Sequence, residues 1–307
     1  MDSQSEPSNV PMPSAPAKPP RVWTVALAFV LALGVIMVVG SVIVGIAVTR
    51  ELLRTGGNPQ DPAAVTALLE QLKFLPWVLV AGAAVSSTTF ICTALLGGAL
   101  SPQPLRERLR LQAGASLPAW AWGVAVVGCI ALGQALESLS ILTGVWQWTT
   151  ALKVVEESRQ APPGLFALLL LFGAVGAGTG EELFFRGYMQ TRLVQRWGRV
   201  AGLAVSATVF GLIHMDPIHT PIALVLGVFL GWLAERTGSV RLPIVVHVLN
   251  NATSFLLTRY VTPFSQMPAS ANLSLVVGCS LLAVGALVLL RRTSTSPGEA
   301  RTELASS

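Results

Sequence analysis

The 307-residue sequence predicts an all-α, polytopic integral membrane protein with about eight transmembrane helices. Three observations support that fold class. Hydrophobic residues make up 52% of the chain and charged residues only 11%, about half the charge of an ordinary soluble domain. The mean hydropathy is +0.65. The apolar residues also fall in long runs, near the about 20 residues needed to cross a bilayer, and short segments holding Lys and Arg separate them.

Residues 1–20 are rich in Pro and Ser and have no hydrophobic periodicity, so a disordered cytoplasmic tail is expected there. The first apolar run, 22–48, is too long for a signal-peptide core and lacks a small-residue cleavage site, so it should persist as a span. A second run, 74–100, completes an amino-terminal pair of helices within 21–117, together with the basic loop that follows. The third, 118–145, closes on Trp146 and Trp148 in the manner of interfacial anchors. The fourth covers 164–190. The fifth, 200–215, and the sixth, 220–234, are short, the sixth reaching only about 22 Å. The turn Asp216-Pro217-Ile218-His219 between them is therefore expected below the far surface, where backbone must be shielded from lipid. The seventh run is 242–258, and the eighth, 273–290, lies in a final segment 259–292 ahead of a polar tail, 293–307.

A formal net charge of +5 is compatible in principle with nucleic acid, but the basic residues sit in short runs between apolar segments, not in one patch. No nucleic-acid partner is expected; the lipid bilayer is. With the amino terminus in the cytoplasm, most of the 20 Lys and Arg fall on that side, which favours both termini inside. The densest basic segment, Leu105 to Leu111, reads as a topology-setting loop or as an amphipathic stretch on anionic headgroups. The excess of Arg over Lys, with abundant Ala, Gly and Val, points to a GC-rich bacterium and hence to its inner membrane. Cys92, Cys129 and Cys279 each lie in an apolar run without metal spacing, as small core residues do.

Ionisable side chains within spans are costly, and functional by default. They concentrate in three places. The fourth span contains Gly180-Glu181-Glu182-Leu183-Phe184-Phe185-Arg186, where Glu182 and Arg186 share a helical face at i and i+4 and can neutralise each other. Glu181 points about 100° away and has no local counter-charge, which suits a general base. Taken alone, the Glu182–Arg186 pair is equally compatible with helix-to-helix glue. The fifth span supplies Phe210-x-x-x-His214, and the seventh supplies His247-x-x-x-Asn251, again sharing one face. On a straight-helix ruler Glu181 lies about 16 Å from Arg192 and His247 about 9 Å from Arg241, both in the cytoplasmic half; His214 is about 22 Å from Arg199 and fits less well.

These three motifs, in this order on successive helices, resemble the CPBP family of intramembrane proteases, which includes CAAX prenyl endopeptidases, bacteriocin-processing enzymes and abortive-infection proteins. The resemblance covers roughly 118–258. It implies an eight-helix fold with a cavity open to the cytoplasmic side, in which Glu181 and His214 activate a water. It also implies that His247 and Asn251 donate hydrogen bonds to the oxyanion and that Glu182 and Arg186 hold the site. The expected function is thus hydrolysis of a peptide bond in a membrane-associated peptide or protein. A non-proteolytic scaffold or immunity protein of the same fold is the alternative, and a proton-relay transporter is disfavoured by the lack of repeat halves.

The family is often labelled metalloprotease, and zinc takes His and carboxylate ligands. The chain has no His-Glu-x-x-His helix, however, and glutamate activation of water needs no metal, so a divalent metal such as zinc stays possible without being required. No Gly-x-Ser-x-Gly elbow offers a serine nucleophile. His219 is expected on a loop or cavity rim, and Glu137 is expected to pair with a neighbouring helix or lie near the far interface, outside the catalytic set.

Overall fold

The computed structural model describes residues 20–293, and nearly all of them are helical. The two tail expectations fall on residues 1–19 and 294–307, which lie outside the described residues. Helix α1 (Trp23–Thr55) is apolar on every side and ends on Gly56, whose φ of 75° gives the left-handed stop that a side chain resists. A short helix α2 (Pro62–Leu72), capped by the Asp61 carboxylate accepting from the Ala63 N–H, folds back on α1 through Val48, Leu52 and Leu72. It is followed by α3 (Pro76–Ala99), α4 (Ala119–Leu142), α5 (Pro163–Trp197), α6 (Arg199–Leu212), α7 (His219–Thr237), α8 (Arg241–Tyr260) and α9 (Ala269–Arg292).

Six of the eight expected spans qualify by length and hydropathy, namely α1, α3, α4, α5, α7 and α9. The other two form helices but fall short for separate reasons. Helix α6 has only 14 residues, about 21 Å of rise. Helix α8 has the length, but Arg241, His247, Asn250, Asn251 and Arg259 make it polar. The sixth run, expected to be short, extends from His219 to Thr237, about 28 Å.

The segment between α3 and α4 does not lie out along headgroups. Arg110, in a left-handed conformation at φ 52°, pairs with Glu235 at 2.5 Å, and its carbonyl accepts from the Val240 N–H. Arg241 Nε donates to the Leu111 carbonyl and Ser239 Oγ to that of Gln112, while Leu109 is fully buried. This basic segment is therefore docked on the α7–α8 turn, and its hydrophobic face covers protein. Of the cysteines, Cys129 is buried as expected, Cys279 is half-buried and Cys92 faces outward.

Loop contacts divide the bundle into two ends. At one end the 105–115 segment, the α5–α6 junction, the α7–α8 turn and Thr293 are tied together: Arg199 donates to the Glu235 carbonyl, and Arg236 to that of Thr293. At the other end the α4–α5 connection, residues 143–162, contacts both the α6–α7 turn and the segment after α8. Thr149 bonds to Asp216, Glu156 to Ser265, and Arg259 to the carbonyls of Arg159 and Ala161.

Candidate active site

Helix α5 carries the two glutamates, and it is not a regular α-helix. Leu169–Gly176 and Glu182–Gln190 are π-helical, a wider winding that appears mainly at functional sites. The glycines ahead of the glutamates explain why neighbours come so close. A Cβ at Gly178 would meet the Val248 backbone nitrogen at 2.8 Å, and one at Gly180 would meet the Ser87 carbonyl oxygen at 2.8 Å. Small residues thus let α8 and α3 press directly on the α5 backbone.

Glu182 is fully buried and Arg186 nearly so, and Arg186 Nη1 donates to Glu182 Oε1 at 2.8 Å, as their spacing suggests. Arg186 Nη2 donates to the Gly227 carbonyl at 3.1 Å, and the guanidinium carbon sits 4.2 Å from the Phe210 ring centre. A third member joins this pair: His247 Nδ1 lies 2.8 Å from the same Glu182 oxygen. With Glu182 ionised by its arginine, Nδ1 carries the proton and the ring is fixed. His247 Nε2 then lies 3.8 Å from Glu181 Oε2. The sequence offers Glu181 no local partner, and the fold brings one from α8.

His214 follows the last turn of α6. Its Nδ1 donates to the Phe210 carbonyl at 3.0 Å, which leaves Nε2 as the acceptor. The chain then turns through Met215 at φ 48° into Asp216. The Asp216 carboxylate accepts from the Ile218 and His219 N–H groups at the start of α7, and from the Thr150 and Ala151 N–H groups at the start of the 151–157 helix. His219 is thereby held with its ring 4.4 Å from that of His214, centre to centre. Asn251 Nδ2 reaches the Gly173 carbonyl at a long 3.3 Å, within one of the π-helical stretches.

A cavity of about 260 Å³ joins these groups. Glu181, His214, His247 and Asn251 all line it, whereas Glu182 and Arg186 stand behind its wall. Two residues left outside the expected catalytic set line it as well, His219 and Glu137. Glu137 makes no side-chain hydrogen bond or ion pair to a neighbouring helix among the described residues, and stands near the carboxyl end of α4, where its side chain lines the cavity. Gln134, one turn earlier on the same face of α4, was the available clue: two polar residues at i and i+3 in an apolar span mark a face turned away from lipid.

The cavity lies toward one end of the bundle. Its walls use the carboxyl half of α4 (Cys129 to Glu137), the amino half of α7 (His219 to Leu230) and residues Leu152 and Val155 of the α4–α5 connection. It therefore extends toward the end away from the basic loops. Among the described residues, no three His, Cys, Asp or Glu side chains form a group that could hold a metal ion.

Residues 163–253 match the family model of Rce1-like type II CAAX prenyl endopeptidases. This match bears out the resemblance carried by the three motifs. All three lie inside the matched segment, whereas α4, which supplies Glu137 and Gln134 to the cavity, lies outside it. The Rce1-like family is one of proteases, so the matched segment is similar to peptide hydrolases that work in membranes. No curated protein and no solved structure gave a match.

Proposed function

We propose that this chain is an intramembrane endopeptidase that hydrolyses a peptide bond of a membrane-associated substrate. The observation that supports the reading is the convergence of Glu181, His214, His247 and Asn251, from two helices and a turn, on one cavity. Glu181 takes a proton from water as the water oxygen attacks the carbonyl carbon of the scissile bond. His214 Nε2, its other nitrogen tied to the Phe210 carbonyl, accepts the second water hydrogen and orients the nucleophile. The developing oxyanion accepts from Asn251 Nδ2, whose bond to Gly173 is long enough to exchange, and from the His247 ring. Because His247 Nδ1–H is committed to Glu182, donation from Nε2 needs a proton on that nitrogen as well. As the C–N bond breaks, Glu181 returns its proton to the leaving nitrogen. No step is routed through a metal.

The test uses purified full-length protein in liposomes, a pool of quenched fluorescent peptides with lipid-anchored carboxyl ends, and the variants Glu181→Gln and His214→Ala. Loss of acid–base help should slow cleavage about 10²- to 10⁴-fold. Cleavage by Glu181→Gln at the unaltered rate would remove the assignment.

A further inference from the structure

Glu137 sits in a span, where a carboxylate is kept only for a reason, and its side chain forms part of the cavity wall. Among the described residues, no hydrogen bond or ion pair reaches that carboxylate. One turn below it Gln134 also lines the cavity, and its Oε1 is buried without a hydrogen-bond partner. The cations that could serve Glu137 are engaged elsewhere. Arg186 holds Glu182, Lys153 donates to the Gln147 carbonyl at 2.6 Å, and Arg259 binds two carbonyls. Among the described residues no Lys or Arg lines the cavity, while Glu137 and Glu181 do. Glu156, on the 151–157 helix that supplies Leu152 and Val155 to the wall, is a further carboxylate, and it accepts from Ser265 Oγ at 2.8 Å.

Glu137 and Gln134 Oε1 thus present acceptors that no donor among the described residues serves. A lysine ammonium or arginine guanidinium is the complement, since each carries several donors and no acceptor. We propose that Glu137 and Gln134 form the subsite that receives a basic side chain of the substrate, so that peptides with Lys or Arg close to the scissile bond are preferred. The inference rests on the peptidase reading above and adds the specificity of the same cavity. Bound there, the basic group neutralises Glu137 and satisfies Gln134 Oε1, and it sets the register in which the peptide carbonyl meets Glu181.

The experiment compares matched quenched peptides that differ only in carrying Lys, or its neutral isostere norleucine, at each position flanking the scissile bond. They are cleaved by full-length protein in liposomes. At one position the Lys peptide should show a kcat/KM about tenfold or more above its partner, the size of a charge-assisted hydrogen bond. Glu137→Gln should bring that ratio to about one, and Glu137→Lys should invert it for a peptide carrying Glu there. Equal cleavage of both peptides by the unaltered protein, or an equal drop for both in Glu137→Gln, would overturn the subsite. Binding of the two peptides to the Glu181→Gln variant separates the two levels of inference. A preference for the Lys peptide there supports the subsite even if cleavage proves independent of Glu181; equal binding there, with cleavage still lost, removes the subsite alone.

Discussion

Glu182 is the most confined charge in the molecule, fully buried and shared by Arg186 and His247 through one oxygen, while its other oxygen has no hydrogen bond among the described residues. Removing one partner of such a pair leaves an uncompensated buried charge. Arg186→Met keeps the length of the side chain and should cost about 3–5 kcal/mol. A large fall in the midpoint of thermal unfolding in detergent would show it, and an unchanged midpoint would mean that Glu182 is not ionised in the fold. The pair was legible in the sequence because i and i+4 spacing is a local fact. Its third member was not, since nothing local to Glu182 announces that α8 will cross α5 at Gly178 and place His247 against it. Glu137 escaped for a related reason: with Gln134 it marks a face turned from lipid, but nothing local says that this face will line a cavity beside α5 and α8.

Among the elements, the 151–157 helix and α7 are joined at their amino ends by a single side chain. Asp216 accepts from Thr149 Oγ1 at 2.8 Å and from the first free N–H groups of both helices, which relieves two sets of unpaired donors at once. Burial by itself would raise the Asp216 carboxyl; the N–H groups of His219, Ala151 and Thr150 and the Thr149 hydroxyl outweigh it and hold the group below its ordinary value. The sign of the pH dependence follows. A carboxylate depressed in the folded state contributes its full stability above the unfolded value of about 3.9 and loses it as the pH falls below that. Asp216→Asn should melt lower than the unaltered protein at pH 7, and the gap should narrow as the pH is taken below 4; a gap constant with pH would count against the carboxylate as the source. The helices themselves were mostly legible from apolar run length, even though α6 and α8 are too short or too polar to qualify as spans. The π-helical stretches of α5 were hidden, because packing against α3 and α8, not residue type, decides between the two windings.

At the scale of the whole molecule, two expectations drawn from the sequence conflict. The charge distribution places the basic loops in the cytoplasm, and the family resemblance places the cavity opening there too. The fold separates them: Arg106, Arg110, Arg199, Arg236 and Arg241 gather at one end, while the cavity is built from the opposite halves of α4, α7 and α8 and from the α4–α5 connection. Basic loops set orientation during insertion, irrespective of what the mature site does. The expected outcome is therefore a cavity facing away from the cytoplasm. Single cysteines in a chain freed of Cys92, Cys129 and Cys279 can decide it, since Trp148 at the cavity end is 63% exposed and Arg106 at the basic end is also exposed. A membrane-impermeant maleimide should label Trp148→Cys in intact cells and Arg106→Cys only in inverted vesicles. The opposite pattern would show that the cavity faces the cytoplasm against the charge rule. If the expected pattern holds, a substrate must arrive at the outer face or along the bilayer, and a lipidated peptide kept on the cytoplasmic leaflet would reach Glu181 only after crossing most of the membrane.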